Sequence, residues 1–377
     1  MATTLINNVA KTAVNCNDHL TGNPFLLNCW YVGAWGHEVL NDVILARQLL
    51  SKRVVFFRDS AGKVSALEDR CSHRFAPLSI GRHTGDTVRC MYHGLEFNGE
   101  GTCVKEPGVK GVSRGTDIKA YPTAEKDSFI WIWMGDPALA NTDLIPDCSY
   151  QSQPGKWDWE PRYRYFNADY RLIADNLLDF SHLTFVHENT LGGSSKIADI
   201  KPKTEVYDKG VRISRWYLDE EKIAPYLKGF ETFEGKIDRW NIYDFEIKGN
   251  IFNMDSGTAP AGTGAPEGTF VPEAMLFHAT QIVTPETEKS SHFFWSYAHN
   301  FNLGDPKFTT MLADRIAEGF EEDKEMIEAQ QIIVDENSDI PFAYIHFDRG
   351  VSAGRKSLAK ALAEEAKYFS TQKDAAE

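Results

Sequence analysis

The sequence predicts an α+β protein, with an all-β domain in its N-terminal third and a larger α+β domain behind it. Three observations predict this. Residues 25–136 read as short strands separated by Gly, Asp and Asn turns. Beyond residue 200, long alternating runs read as strands of a curved antiparallel sheet. A helix-length apolar stripe and a charged helical stretch then close the chain. Strands and helices grouped in this way belong to α+β layering rather than to repeated βαβ units.

Taken in order, residues 1–24 are polar and read as an arm. Val54–Arg58, Lys63–Glu68, Thr87–Met91 and the aromatic run Phe129–Met134 are strands of the β domain, assigned to 25–142. Gly135–Gly155, rich in Pro, Asp and Ser, reads as a linker. The second domain, 143–352, has a strand-like segment at Trp157–Tyr170 and a helical one at Leu172–His182. Strands follow near 203–217, 231–252, 274–284 and 291–301. The Gly/Pro/Ala-rich segment Ala259–Gly268 reads as a mobile loop bordering a pocket. A helix of about 25 residues lies within Asp305–Ile332. A charged helix at Ser352–Tyr368 and a polar tail form a terminal unit, 353–377.

Composition narrows the function classes. A chain of 377 residues with 42% hydrophobic and 25% charged residues can bury a substantial core. No run approaches the roughly 18 apolar residues that a membrane span needs, and no basic start with an apolar stretch marks a secretory signal, so the expected location is cytoplasmic. A net charge of −14 argues against nucleic acid, whose phosphates require clustered Lys and Arg. Residues 66–115 are the exception, with seven Lys/Arg against six Asp/Glu, compatible with ordinary surface variation or with a face for an acidic redox partner.

Six cysteines stand at 16, 29, 71, 90, 103 and 148; Cys16 (three residues before His19), Cys29, Cys103 and Cys148 read as ordinary thiols, and only Cys71 and Cys90 belong to two Cys/His pairs that lie close together in the chain. Cys71-Ser-His73 and Cys90-Met-Tyr-His93 each offer one thiolate and one imidazole from a short loop. A closed zinc site would accept such a set. Mixed pairing within each loop favours a [2Fe–2S] cluster with two Cys on one iron and two His on the other, which raises the potential above that of an all-Cys cluster. Pro77 and Gly81 shape the first loop, and Gly94 gives close backbone approach behind His93. The string CSHRFAPLSIGRHTGDTVRCMYHGLEFNGEGTC, with NCWYVGAW upstream and YPTAEKDSFIWIWMGDP downstream, resembles the Rieske domain of ring-hydroxylating-type oxygenases, and most of all the vanillate O-demethylase oxygenase group.

The second constellation is Asp175-Asn176-Leu-Leu-Asp179-Phe-Ser-His182-Leu-Thr-Phe-Val-His187. Asn176, Asp179 and His182 step by three along one helix face. His182 and His187 are about 140° apart on a straight helix, so joint binding of one ion demands a break between them. Spacing alone is weak, and ordinary core or surface histidines compete with the ligand reading. The polar residues are interleaved with Leu177, Leu178, Phe180, Leu183 and Phe185, however, and buried polar groups need partners or a metal. Phe308, Leu312, Ile316, Phe320 and Ile327 trace an apolar stripe on which Asp323 also falls, whereas Glu321 and Glu322 read as solvated neighbours. A surface acid at the edge of the stripe is the alternative.

The resemblance implies the rest. It implies mononuclear Fe(II) held by His182, His187 and Asp323 as two His and one carboxylate, with positions left for O₂. It implies a homotrimer in which Asp179 bridges His93 of one subunit to His182 of another, with Asn176 nearby as a polar residue that does not bind iron. A carboxylate three residues from a ligand also suits an orienting role for Asp179. The implied activity is monooxygenation of a small aromatic, foremost O-demethylation of a methoxy group, with N-dealkylation and methyl or ring hydroxylation as alternatives. Asn250, Asn253, Gln281, His292 and Trp295 are candidate substrate residues. No flavin or nicotinamide motif is present, so a ferredoxin, a flavin reductase or both must bring electrons. A Rieske electron carrier without oxygenase activity, and a colourless zinc-binding interaction protein, are the readings from other classes.

Overall fold

The computed structural model describes residues 24–192, 197–221, 223–265, 271 and 273–376. The expected arm falls almost wholly outside these residues, as do 266–268 of the expected loop and Cys16.

The N-terminal part is built from three small antiparallel sheets. One pairs Trp30–Trp35 with Phe129–Trp133 and the latter with Thr123–Lys126; a second runs Leu45–Leu49, Lys52–Arg58, Val64–Glu68, Ala120–Tyr121. The third orders Arg82–His83, Val88–Arg89, Glu96–Phe97 and Cys103–Lys105. The strand expected over Thr87–Met91 stops at Arg89, because Cys90 opens a loop held by its own backbone bonds. The segment expected as a linker is ordered into short 3₁₀ turns and tied down, with the Trp30 indole donating to the Asn141 carbonyl.

The C-terminal half is built on a seven-stranded antiparallel sheet whose spatial order is Pro161–Phe166, Ser290–His299, Met275–Thr287, Ile251–Pro260, Ile237–Glu246, Gly210–Glu220, Lys203–Tyr207. Two runs expected as single strands are hairpins. The 203–217 run turns at Asp208–Lys209, and the 231–252 run turns at residues 247–250. Gly249 there has φ +88°, and a Cβ on it would lie 2.4 Å from the Trp30 carbonyl oxygen, so the turn takes a glycine.

Strand parity gives the sheet two unlike faces. One face carries Ile213, Arg215, Arg239, Asn241, Tyr243, Met254, Gln281, Trp295 and Tyr297, and is covered by helices α1 (Tyr170–Leu178) and α2 (Pro306–Glu336). The other face carries Ile282 and Phe294, which pack with Trp30, Trp35, Phe129, Trp131 and Trp133 of the β domain. The seam is also hydrogen-bonded, Thr284 to the Val32 carbonyl and His292 Nε2 to the Gln48 carbonyl. The sheet therefore separates the β domain from α1 and α2.

α2 runs longer than expected, capped by Asp305 with Pro306 in its first turn, and it buries Phe308, Leu312, Ile316, Phe320, Asp323 and Ile327 as the stripe predicts. The last helix, α3 (Arg349–Ala376), starts at Arg349 rather than at Ser352. It packs on α1 and on the Gly210–Glu220 strand, and Glu365 accepts the Leu27 and Asn28 backbone N–H groups. No helix among the described residues is long and apolar enough to cross a membrane.

Candidate functional site

Two loops at the tip of the β domain repeat one backbone pattern. Cys71 N–H donates to the Ala76 carbonyl and Phe75 N–H to the Cys71 carbonyl; Cys90 N–H donates to the Leu95 carbonyl and Gly94 N–H to the Cys90 carbonyl. Phe75 (φ +56°) and Gly94 (φ +78°) occupy matching left-handed positions, one adopted freely by a glycine and the other at a cost in backbone strain by a Phe. A Cβ on Gly94 would meet the Pro107 ring at 2.9 Å.

Cys71 and Cys90 are buried among Val55, Phe57, Leu67, Leu78, Val88 and Phe97, whereas His73 and His93 stand exposed with their Nδ1 atoms 3.2 Å apart. Burial, with Cys90 alongside, raises the Cys71 thiol, so a neutral sulfur is held there unless a metal claims it. Among the described residues only His182, His187 and Asp323 bring three donor atoms within 4.8 Å of one another. Two buried sulfurs below two exposed imidazoles suit a binuclear cluster. Cys29 and Cys148 are buried thiols pushed up to about 12 chiefly by desolvation, and inert.

The second site is assembled by a broken helix. α1 ends at Leu178; Asp179 is extended, and a 3₁₀ turn, Phe180–Thr184, follows. The helix expected through His182 stops early because the Asp179 carboxylate caps the Ser181 N–H (2.8 Å), competing with helical bonding. His182 and His187 are brought to a ring separation of 5.1 Å. Orientation is fixed by protein acceptors: His182 Nδ1–H donates to the Asp179 backbone carbonyl, and His187 Nδ1–H to Glu322 Oε2 at 2.7 Å. Both Nε2 atoms turn toward Asp323 Oδ1, at 3.4 Å from His182 and 3.0 Å from His187.

Burial works to raise the Asp323 carboxyl, but hydrogen bonds and charge from His182 and His187 bring it well below its usual range. Burial alone would lower His187; Asp323 and Glu322 more than offset this and raise it. Two imidazoles with occupied Nδ1 atoms and one ionised carboxylate, all converging, form a donor set that fits a divalent iron with open positions.

Two sequence expectations need correction here. Glu322 is not merely solvated, since it tethers His187 and accepts from Thr190 Oγ1 at 2.5 Å. The group that orients His182 is the Asp179 carbonyl; its carboxylate lies instead 3.7 Å from the buried Arg215 guanidinium. Asn176 is where its reading places it, donating to Asp323 Oδ1 at 2.9 Å.

A narrow cavity of 50 Å³ adjoins the three ligands, walled by Phe180, Leu183, Leu191, Tyr226, Tyr243, Met254, Tyr297, Ile316 and Phe320, with Arg239, Asn241 and Gln281 as polar members. Of the five candidate substrate residues only Gln281 lines it. Asn253 and His292 have the opposite strand parity: Asn253 accepts from Thr280 on the far face, and His292 faces the β-domain seam. Asn250 belongs to the 247–250 turn, and Trp295, on the correct face, packs against Phe320. Arg239, Asn241, Tyr243 and Met254 were missed, although period-two alternation along 237–246 marks the first three. On the outer side of the ligands, a depression of 490 Å³ is lined by Asp179, His182, Met326, Phe342, Tyr344 and Ile345, among others.

Comparison with known proteins agrees with this geometry. Residues 29–122 match the Rieske [2Fe-2S] domain, and residues 166–364 match the vanillate O-demethylase oxygenase C-terminal domain. The chain is 46% identical to the toluene-4-sulfonate monooxygenase system iron-sulfur subunit of Comamonas testosteroni, over 90% of this chain and 98% of that one. It is 32% identical to a vanillate O-demethylase oxygenase subunit of a Pseudomonas species, over 90% and 96%. Its fold superposes on dicamba monooxygenase bound to 3,6-dichlorosalicylic acid with a TM-score of 0.83 at 30% identity, covering 91% of this chain and 99% of that chain. The chain belongs to the Rieske non-haem iron oxygenases of the vanillate O-demethylase group, and is the oxygenase component of an aromatic monooxygenase system.

Proposed function

We propose that this oxygenase hydroxylates a methyl or methoxy carbon carried by a small aromatic ring. The observation that carries the reading is the convergence of His182, His187 and Asp323 at a cavity walled mainly by aromatic and aliphatic side chains. Where the attacked carbon is a methoxy carbon, the hydroxylated product is a hemiacetal that collapses to a phenol and formaldehyde, which is O-demethylation. Where it is a methyl carbon, the product is a benzylic alcohol, and the 46% identity to a toluene-4-sulfonate monooxygenase subunit favours this second outcome as a companion reading.

Cys71, Cys90, His73 and His93 would hold the cluster, and His182, His187 and Asp323 the iron; the cluster supplies electrons and the iron activates O₂. Glu322 and the Asp179 carbonyl keep each Nε2 lone pair aimed inward. Asn176 holds one Asp323 oxygen in place. Leu183, Leu191, Ile316 and Phe320 exclude water from the reacting carbon. Electrons come from a reductase, directly or through a ferredoxin, and a cytoplasmic location accords with such a chain of carriers.

A homotrimer completes the reading. The sheet stands between the β domain and the iron ligands, which disfavours transfer within one chain. The exposed tip has apolar company from Phe75, Ile80, Met91 and Tyr92, and the depression beside Asp179 exposes Met326, Tyr344 and Ile345. Seating one on the other would let Asp179 bridge His93 of one subunit to His182 of its neighbour.

The decisive experiment supplies loaded enzyme with a surrogate reductase, ¹⁸O₂, and a panel of methoxy-, methyl- and N-alkyl-aromatics. One labelled oxygen in a hydroxymethyl product, or labelled formaldehyde with the phenol, is expected. Enzyme with full iron and cluster that forms no product from any of the panel would sink the reading.

A further inference from the structure

Among the described residues lining the cavity beside the iron ligands, Arg239 is the only Lys or Arg. Arg239, on the Ile237–Glu246 strand, is 8% exposed and lines that cavity together with Asn241 and Gln281. Its Nη1 donates to the Gly192 carbonyl at 3.0 Å and its Nη2 to the Leu191 carbonyl at 3.2 Å. Those acceptors are neutral. Of the five N–H donors a guanidinium carries, two are thus accounted for among the described residues. No carboxylate lies within ion-pair distance of Arg239 among those residues; the buried acid Glu220 acts on Tyr217, over whose ring the Arg239 guanidinium sits at 5.6 Å.

A buried charge without a counter-ion is costly, and such a group is retained where a ligand brings the opposite charge. The other buried arginine on this face, Arg215, is differently placed, since it bonds Ser181 Oγ and the Ile197 carbonyl and faces Asp179. Arg239 alone meets the cavity.

We infer that Arg239 is a specificity-determining residue that binds an anionic substituent, a sulfonate or carboxylate, on the aromatic substrate, with Asn241 and Gln281 as neighbouring polar groups. The inference rests on the reading of this cavity as the substrate site. Arg239 projects from the same strand face as Tyr243, four residues along, which packs on Phe180 beside the iron ligands. The anion would be held at one end of the ring while the carbon to be oxidised is presented at the other. At 50 Å³ the cavity is smaller than the roughly 150 Å³ that a benzene ring occupies in an engineered protein cavity. Binding of a ring therefore requires the cavity to widen.

The test uses cluster- and iron-loaded enzyme and two matched pairs of probes. One pair is 4-methylbenzenesulfonate with its neutral sulfonamide, the other 4-methoxybenzoate with its neutral amide. Calorimetry should show Arg239→Met weakening both anions by about ten- to a hundredfold and the neutral probes by less than about threefold. Arg239→Lys should fall between, since an ammonium keeps the charge but loses the planar fork. For the probes that are turned over, the rise should appear in KM, with kcat little changed. A residue that only tethers the segment behind His187 would weaken all four probes alike and lower iron occupancy; that result, or an unchanged preference for anions, overturns the inference. Should Arg239→Met not fold, the wild-type enzyme still decides, because benzenesulfonate must inhibit at least about tenfold more tightly than benzenesulfonamide, and equal inhibition overturns the inference. Arg239-dependent binding of anions that are never oxidised would defeat the proposed reaction and leave this inference standing. Oxidation of charged and neutral probes with equal KM would do the reverse.

Discussion

At the tip of the β domain His73 and His93 stand in solvent over two buried cysteines, whereas in the catalytic half His187 is fully buried and Asp323 nearly so. Each arrangement suits its task. A group that exchanges electrons with other proteins must lie close to the surface, and Phe75, Ile80, Met91 and Tyr92 give that surface an apolar rim. A group that activates oxygen must be screened from water, and Leu183, Leu191, Ile316 and Phe320 screen it. The supports differ in the same sense. Backbone turns shape the first site, with a left-handed residue, Phe75 or Gly94, at the matching position of each loop, whereas side chains from three separate elements hold the second. The first is therefore a local structure, and the second depends on the whole sheet and on α2.

The largest test of this contrast removes one site and leaves the other. Asp323→Ala should strip the mononuclear iron and lower turnover by on the order of a thousandfold, while the visible spectrum of the cluster survives. Iron analysis beside the absorption spectrum reads both at once, and full iron occupancy in the variant would remove Asp323 from the ligand set. Next in size is Asp179→Asn, which keeps both metals and the Ser181 cap but loses the charge in the proposed bridge between subunits. Turnover should fall by about a hundredfold or more, as neutral replacements of aligning carboxylates do elsewhere, and near-normal turnover would refute the bridge. Glu322→Gln is milder. It should weaken iron binding by about ten- to a hundredfold, measured by chelator competition, without altering the cluster spectrum; unchanged affinity would show that His187 is held without the Glu322 charge.

The smallest effect concerns the seam between the two regions. Burial lowers His292, which accepts from the Tyr163 hydroxyl at Nδ1 and donates to the Gln48 carbonyl from Nε2. Its folded-state value lies below the 6.5 of a free imidazole, so the unfolded chain binds the proton first. The stability it contributes is complete above 6.5 and is lost as pH falls from there toward the folded-state value, by at most about 1.4 kcal/mol per pH unit. Melting temperatures taken from pH 7.5 to 5.5 should decline less steeply in His292→Gln; identical slopes would exclude a role for this histidine at the seam.

Cys71, His73, Cys90 and His93 were legible because all four ligands lie within a stretch short enough for spacing to describe the loops. The stripe on α2 disclosed Asp323 because helical periodicity reports burial directly. The same periodicity misjudged its neighbour Glu322, whose contact with His187 depends on a loop 135 residues away in sequence. It also carried α1 too far, since nothing in the spacing shows that the Asp179 carboxylate would prefer the Ser181 N–H to a helical course. Among the substrate candidates, alternation fixes which residues share a face but not which face turns to the iron. Asn253 and His292 therefore fell on the β-domain side, while Arg239 and Asn241 went unnoticed.

By itself, then, the sequence determined the fold class, the two sets of candidate ligands and the need for a break between His182 and His187, because these follow from local spacing and periodicity. The tertiary structure alone decided which sheet face borders the iron ligands, which groups orient the two histidines, and that a guanidinium with no carboxylate at ion-pair distance among the described residues lines the cavity. Those outcomes depend on how the sheet is flanked and on contacts between residues far apart in the chain, which no local pattern of side chains encodes.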